Sequence, residues 1–171
     1  PWPTRMLIGL YNYLSRYGVA TLVVAVILVY AILQWKNRTE PGRMFFSKMV
    51  LRLPLIGKIV EMSAASQLAN TMSTMLTAGL PMIRALDITG HVIENAVISQ
   101  TVLKAVHGVE EGRTIGSCLV ENPHIPELLT EMTIVGEESG NMEETLETVG
   151  MYYDNEVELA TNRALSYLEP C

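Results

Sequence analysis

Little in this chain could carry out covalent or redox chemistry. Cysteine occurs twice, at Cys118 and Cys171. Two thiols build no disulfide framework and have no metal-ligand spacing, and their scarcity fits a reducing compartment. No G-x-x-x-x-G-K-[ST] loop occurs, so any nucleotide used in energy-driven work must be held by another subunit. The three histidines, His91, His107 and His124, lie sixteen and seventeen residues apart without ligand spacing. They read as helix-end or surface groups. Glu121-x-x-His124 has the outline of a di-iron half-motif, but Pro123 breaks the helix it requires and no second copy exists. Serines have no acid or base partners that spacing can identify. No catalytic constellation, cofactor site or metal site emerges, and the chain reads as a non-enzyme. Regular β-branched alternation is also rare beyond Pro54, which argues against a sheet.

What is present begins with an uncharged run. Tyr17–Trp35 (YGVATLVVAVILVYAILQW) holds nineteen residues between Arg16 and Lys36. As a helix it would be about 28 Å long, close to the hydrocarbon thickness of a bilayer. Tyr17 and Trp35 stand where interfacial aromatics are expected. The alternative is a buried core helix, although such helices usually carry some polar residues. Residues 1–16 lack the pattern of a cleaved signal peptide. They read as an extracytoplasmic lead-in lying against the membrane, periplasmic if the cell has two membranes.

Charge is split along the chain. Residues 1–53 carry a balance of +6 and residues 54–171 a balance of −12. Lys36, Arg38, Arg43, Lys48 and Arg52 follow the span, whereas only Arg5 and Arg16 precede it. That asymmetry puts the C-terminal side in the cytoplasm. Residues 36–53 form a basic juxtamembrane segment. Within it Asn37–Gly42 reads as a turn. Arg43–Leu53 suits either a helix lying on an anionic leaflet or a plain extension of the span helix.

Residues 54–171 show helical periodicity and suffice for one compact domain. A first helix runs from about Lys58 to Thr77, with Ile59, Met62, Leu68, Met72, Met75 and Leu76 facing inward. Gly79 stops it, and Pro81 takes the first position of a second helix ending near Gly90 or His91. A third spans roughly Asn95 to Glu110 and ends at Gly112. Thr114 can cap a short fourth helix reaching about Val120. A fifth follows Pro126, from Glu127 to about Glu138. Gly140 is placed to close it in the left-handed conformation. Asn141 can then cap a long sixth helix, with Glu144 as its capping-box partner. The stripe Met142, Leu146, Val149, Tyr153, Val157, Ala160, Ala164, Leu168 marks one face of that helix, and Pro170 ends it. The expected fold is all-α: one transmembrane helix followed by a cytoplasmic six-helix antiparallel bundle.

The acids call for explanation. Between Arg113 and Arg163 there is no Lys or Arg, against eleven Glu and Asp. Glu127, Glu131 and Glu138 share one face of the fifth helix. Glu137, Glu138, Glu143, Glu144 and Glu147 crowd the turn into the sixth. Three readings stand: a solvated face, a docking surface for basic partner segments using Glu127, Glu131, Glu137, Glu138, Glu143 and Glu144, or a hard-cation site at Glu137 and Glu138.

Several stretches resemble a known family. Leu53–Ile88 (LPLIGKIVEMSAASQLANTMSTMLTAGLPMIRALDI) has its P-x-x-G, helix, G-x-P, helix form. Ile134-Val-Gly-Glu-Glu-Ser-Gly140 is its most specific motif. Tyr152-Tyr-Asp-Asn-Glu-Val157, Leu168-Glu-Pro170 and even Pro1-Trp-Pro-Thr-Arg5 add to the likeness. The chain is similar to the inner-membrane platform proteins of type II secretion and type IV pilus machines, the type II secretion F / PilC family. The resemblance implies two homologous cytoplasmic six-helix domains and three spans. This chain would then be the C-terminal half, ending where a last span is expected to begin.

The resemblance further implies a protein without activity of its own in the bacterial inner membrane. Its partners would be a hexameric cytoplasmic assembly ATPase, other inner-membrane platform subunits and pilin or pseudopilin, with no direct nucleic-acid contact. A homo-oligomer is compatible with its Met-rich faces. In that frame Gly136–Gly140 is a tight turn between the last two helices, which Glu137 and Glu138 fix or advertise. The rival reading is a single-span membrane adaptor whose acidic bundle docks a soluble signalling partner.

Overall fold

The computed structural model describes the backbone of residues 2–167 and the side chains of residues 17–35 and 39–167. Leu168, Pro170 and Cys171 lie outside the described residues. All eight described elements are helices: α1 Trp2–Arg38, α2 Glu40–Arg52, α3 Ile56–Thr77, α4 Met82–Val92, α5 Ala96–Glu110, α6 Ile115–Leu119, α7 Glu127–Ser139 and α8 Met142–Ser166. The chain divides into two units, residues 1–43 and residues 44–171.

In the first unit α1 contains Tyr17–Trp35, long and apolar enough to cross a membrane. No side chain in that stretch is buried, so the core-helix alternative finds no support. The expected turn over Asn37–Gly42 is narrower than the sequence suggests. Helix is interrupted only at Thr39, and Glu40–Gly42 already belong to α2. Two local interactions explain this. The Thr39 hydroxyl donates to the Trp35 carbonyl at 2.6 Å, and the Thr39 carbonyl accepts from the Arg43 amide at 3.1 Å. Pro41, within the first turn of α2, has no amide hydrogen to lose there.

The second unit is a bundle of α3–α8 with the rest of α2 against it. The long α3 and α8 run antiparallel: Ser66 and Asn70 meet Asp154, while Ser73, further along α3, donates to the Glu143 carbonyl at 2.9 Å. Between them lie Leu68, Met72, Leu146 and Val149, all nearly inaccessible to solvent. Each such side chain contributes about 1.5–3 kcal/mol by leaving water. On α3 the expected inward set divides, with Met62, Met75 and Leu76 only partly buried against the core. The α8 stripe is buried through Tyr153 only; Val157, Ala160 and Ala164 are half-exposed. There α8 borders an open cleft, shared with Lys58, Ile59 and Met62 of α3, instead of a closed core.

Glycines at positive φ close α3, α5 and α7. After α3, Gly79 (φ +83°) and Leu80 donate to the carbonyls of Leu76 and Met75. After α7, Gly140 (φ +70°) donates to the Gly136 carbonyl, and Asn141 donates to the same oxygen at 3.1 Å. This left-handed ending satisfies carbonyls that the helix leaves unpaired. Pro81 is the N-cap of α4 rather than its first residue, and its carbonyl accepts from Ala85 at 2.9 Å.

Candidate functional site

The α7–α8 hinge is built from close approach. A Cβ on Gly136 would lie 2.9 Å from Met142 Sδ and 3.2 Å from Met142 Cα. Glycine here lets the two helices meet directly at the turn that Gly140 allows.

Asn141 is the N-cap of α8, but the expected capping box does not form. At φ −123° and ψ 53° its side chain accepts no backbone amide. Instead Nδ2 donates to Glu144 Oε2 at 2.6 Å. The backbone lies outside the extended conformation that aims an N-cap oxygen at the second and third amides.

Glu137 has an internal partner. Its Oε1 accepts from the Ile115 amide at 2.7 Å and its Oε2 from the Gly116 amide at 2.9 Å. A carboxylate from α7 thus satisfies the first amides of α6, a five-residue helix that would be marginal alone. Thr114 completes the end by accepting from the Ser117 amide. Gly116 has no room for a side chain, because Ile134 Cγ1 would lie 2.3 Å from its Cβ. The carboxylate therefore faces hydrogen-bond donors, an arrangement suited to an anion rather than to the cation site considered for Glu137 and Glu138. Among the described residues no group of three or more His, Cys, Asp or Glu is arranged to hold a metal.

The other acids differ. Glu127, Glu131, Glu138 and Glu143 are exposed and form no salt bridge among the described residues. Glu144 is exposed too and is held by Asn141. The structure does not gather all of these into one patch. Glu138, Glu143 and Glu144 surround the hinge, together with Glu147. Glu127 and Glu131 lie back along α7, Glu127 about 16 Å from Glu138 by helix rise.

The two ends of the α3/α8 pair differ in their basic residues, although Glu156 of α8 shares a cleft with Lys58 and Arg163. Residues 137–147, at one end, contain five Glu and no Lys or Arg. Residues 44–58, leading into the other end, contain Lys48, Arg52 and Lys58 and no acid. Arg163 of α8 lies toward that same end, about 30 Å from Glu143 by helix rise.

Two polar links were not legible in the sequence. His124 Nδ1 lies 2.7 Å from Glu61 Oε1, tying the loop before α7 to α3. Arg113 pairs with Glu121, and that hydrogen bond raises the guanidinium pKa. The Glu121-x-x-His124 residues thus point to different partners. His91 and His107 sit in the last turns of α4 and α5, both exposed, as expected. Arg84 and Asp87 pair at 3.6 Å in solvent, a contact of little energetic weight. In the Tyr152-Tyr153 pair, Tyr153 is buried and Tyr152 exposed. Burial raises the Tyr153 phenol pKa, and Tyr152 adds to the shift.

A family model described as type II secretion system (T2SS), protein F matches residues 68–171. The chain is 30% identical, over 99% of its length, to the type IV pilus assembly protein PilC of Myxococcus xanthus, of which it covers 40%. It is 30% identical over 98% of its length to the PilC of Pseudomonas aeruginosa, covering 45%. It is 29% identical over 99% of its length to the type II secretion system protein F of Aeromonas hydrophila, covering 44%. The chain therefore spans less than half the length of these relatives.

Proposed function

The chain belongs to the type II secretion system protein F family, and on that premise we propose that it forms part of an inner-membrane platform for pilus assembly or protein secretion. The platform has no chemistry of its own. It couples a hexameric cytoplasmic ATPase to the polymerisation of pilin or pseudopilin subunits, in company with other membrane subunits. One observation carries the reading: a helical bundle with the family's match is joined through α2 to a helix long and apolar enough to span a bilayer.

On this reading Tyr17–Trp35 is the span, residues 1–16 are periplasmic, and the bundle of residues 54–171 is cytoplasmic. The acidic hinge is then open to the cytoplasm. Exposed Glu138, Glu143, Glu144 and Glu147 then meet basic segments of the ATPase, while Glu127 and Glu131, further back along α7, offer a separate contact. Glu137 supports the surface from behind by holding α6. Opposite charges at such a contact speed encounter and set its orientation.

Site-specific crosslinking tests this. With a photocrosslinker at Glu138 in the native host, the expected product is a covalent adduct with the assembly ATPase. No such adduct at Glu138, in cells where the protein supports assembly, would overturn the docking assignment.

A further inference from the structure

We propose that the outward face of α2 and the start of α3 seat on an anionic lipid surface. The inference rests on Tyr17–Trp35 crossing a membrane. Ser47, buried, accepts from the Ala96 amide at 3.1 Å, and Leu51 packs against the core. With Met44 and Val50, these residues define the side of α2 turned to the bundle. A step of 100° per residue puts Phe45 and Met49 on the opposite side. Phe45 is 72% exposed and Met49 48%. Leu53, Leu55 and Ile56 continue the apolar surface, each between 43% and 50% exposed. Phe45, Met49, Leu53, Leu55 and Ile56 thus lie open to solvent within twelve positions.

Scattered surface apolar residues are ordinary, but a contiguous set marks a surface that something covers. The bases identify what covers it. Lys48, Arg52 and Lys58 are exposed among these residues, without an acid between Met44 and Lys58. Apolar residues bordered by Lys and Arg are the composition of a helix lying in a membrane interface. Anionic headgroups attract bases close to a span. Connectivity delivers the segment there: Met44 follows Trp35 by nine residues, at most about 30 Å of chain. A second copy of the chain is the poorer fit, since a two-fold contact through this face would bring two sets of three bases together.

The test uses the full chain in lipid nanodiscs, with a benzophenone amino acid at Phe45, at Met49, at Ile83 on α4, or at Leu28 within the span. After irradiation, lipid adducts are counted by mass spectrometry. Positions 45 and 49 are expected to label phosphatidylglycerol several-fold more than position 83. Combining Lys48→Gln, Arg52→Gln and Lys58→Gln should lower labelling at 45 at least about fivefold, since each base near an anionic surface is worth about that factor. Replacing phosphatidylglycerol by phosphatidylcholine should do the same. Labelling at 45 no higher than at 83 overturns the proposal, as do adducts at 45 to a second copy of the chain. Position 28 separates two failures: lipid adducts at 28 without adducts at 45 refute the seating alone, and none at either refutes the span.

Discussion

Gly150 lies against Asn70 so closely that a Cβ on Gly150 would fall 2.0 Å from Asn70 Oδ1. The contact joins the middles of α3 and α8. It brings Asn70 Nδ2 within 3.0 Å of Asp154 Oδ2 and 3.2 Å of Ser66 Oγ, while Ser66 donates to the other Asp154 oxygen. Asp154 is one of eleven acids in a stretch without Lys or Arg, and a polar seam between the two longest bundle helices occupies it.

Gly150→Ala is expected to destabilise the bundle by about 1–3 kcal/mol, because the added methyl displaces Asn70. Asn70→Ala alone should cost about 1 kcal/mol through its lost hydrogen bonds. The double variant should then cost less than the two separately. Urea unfolding of the four proteins measures this coupling, and additivity within about 0.5 kcal/mol would show that the side chains do not compete for space.

Glu137 and its neighbour should behave differently. Glu137→Lys withdraws the carboxylate from two amides and puts a cation at a helix N-terminus, for a loss of about 2–4 kcal/mol. Glu138→Lys, on an exposed side chain, should change stability by no more than about 0.5 kcal/mol. Thermal melts of the two variants make the comparison. Equal melting temperatures would remove Glu137 from its supporting role.

The hinge glycines should fail for different reasons. Gly140→Val forces a β-branched residue to a positive φ, at about 1–3 kcal/mol. Gly140→Asn should be milder, since Asn tolerates that region. At Gly136 the barrier is contact with Met142, so Gly136→Asn should gain nothing over Gly136→Ala. A Gly140→Val protein melting like the parent would contradict the left-handed conformation.

Combined Glu138→Lys, Glu143→Lys and Glu147→Lys should leave a folded, membrane-inserted protein that no longer supports pilus assembly or secretion. Circular dichroism and membrane fractionation establish the fold, and complementation of a deletion strain reads the function. Normal assembly by this variant would mean that the hinge acids are only a solvated face.

Much of the architecture was legible because it depends on local chemistry. Gly79, Gly112 and Gly140 all adopt positive φ, where a helix-ending glycine was expected. Thr114 caps its helix through its side-chain oxygen, as expected, and Asn95, expected as a first helical residue, is also a cap. Each depends on residues a few positions apart. Asn141 shows the limit of such reading. Its sequence context suggests a capping box, but the tight hinge holds its backbone where the side chain cannot reach the amides.

An apolar run of bilayer length, a charge split, helix ends and a helical fold can all be read along the chain. These follow from composition and from interactions within a turn or two of chain. The role of each acid depends instead on packing between helices. Glu137 and Glu138 are adjacent and identical in type, yet one holds the amides of Ile115 and Gly116 and the other faces solvent. Successive helix positions point about 100° apart, and which direction meets a neighbouring helix is set by packing between residues distant in the chain.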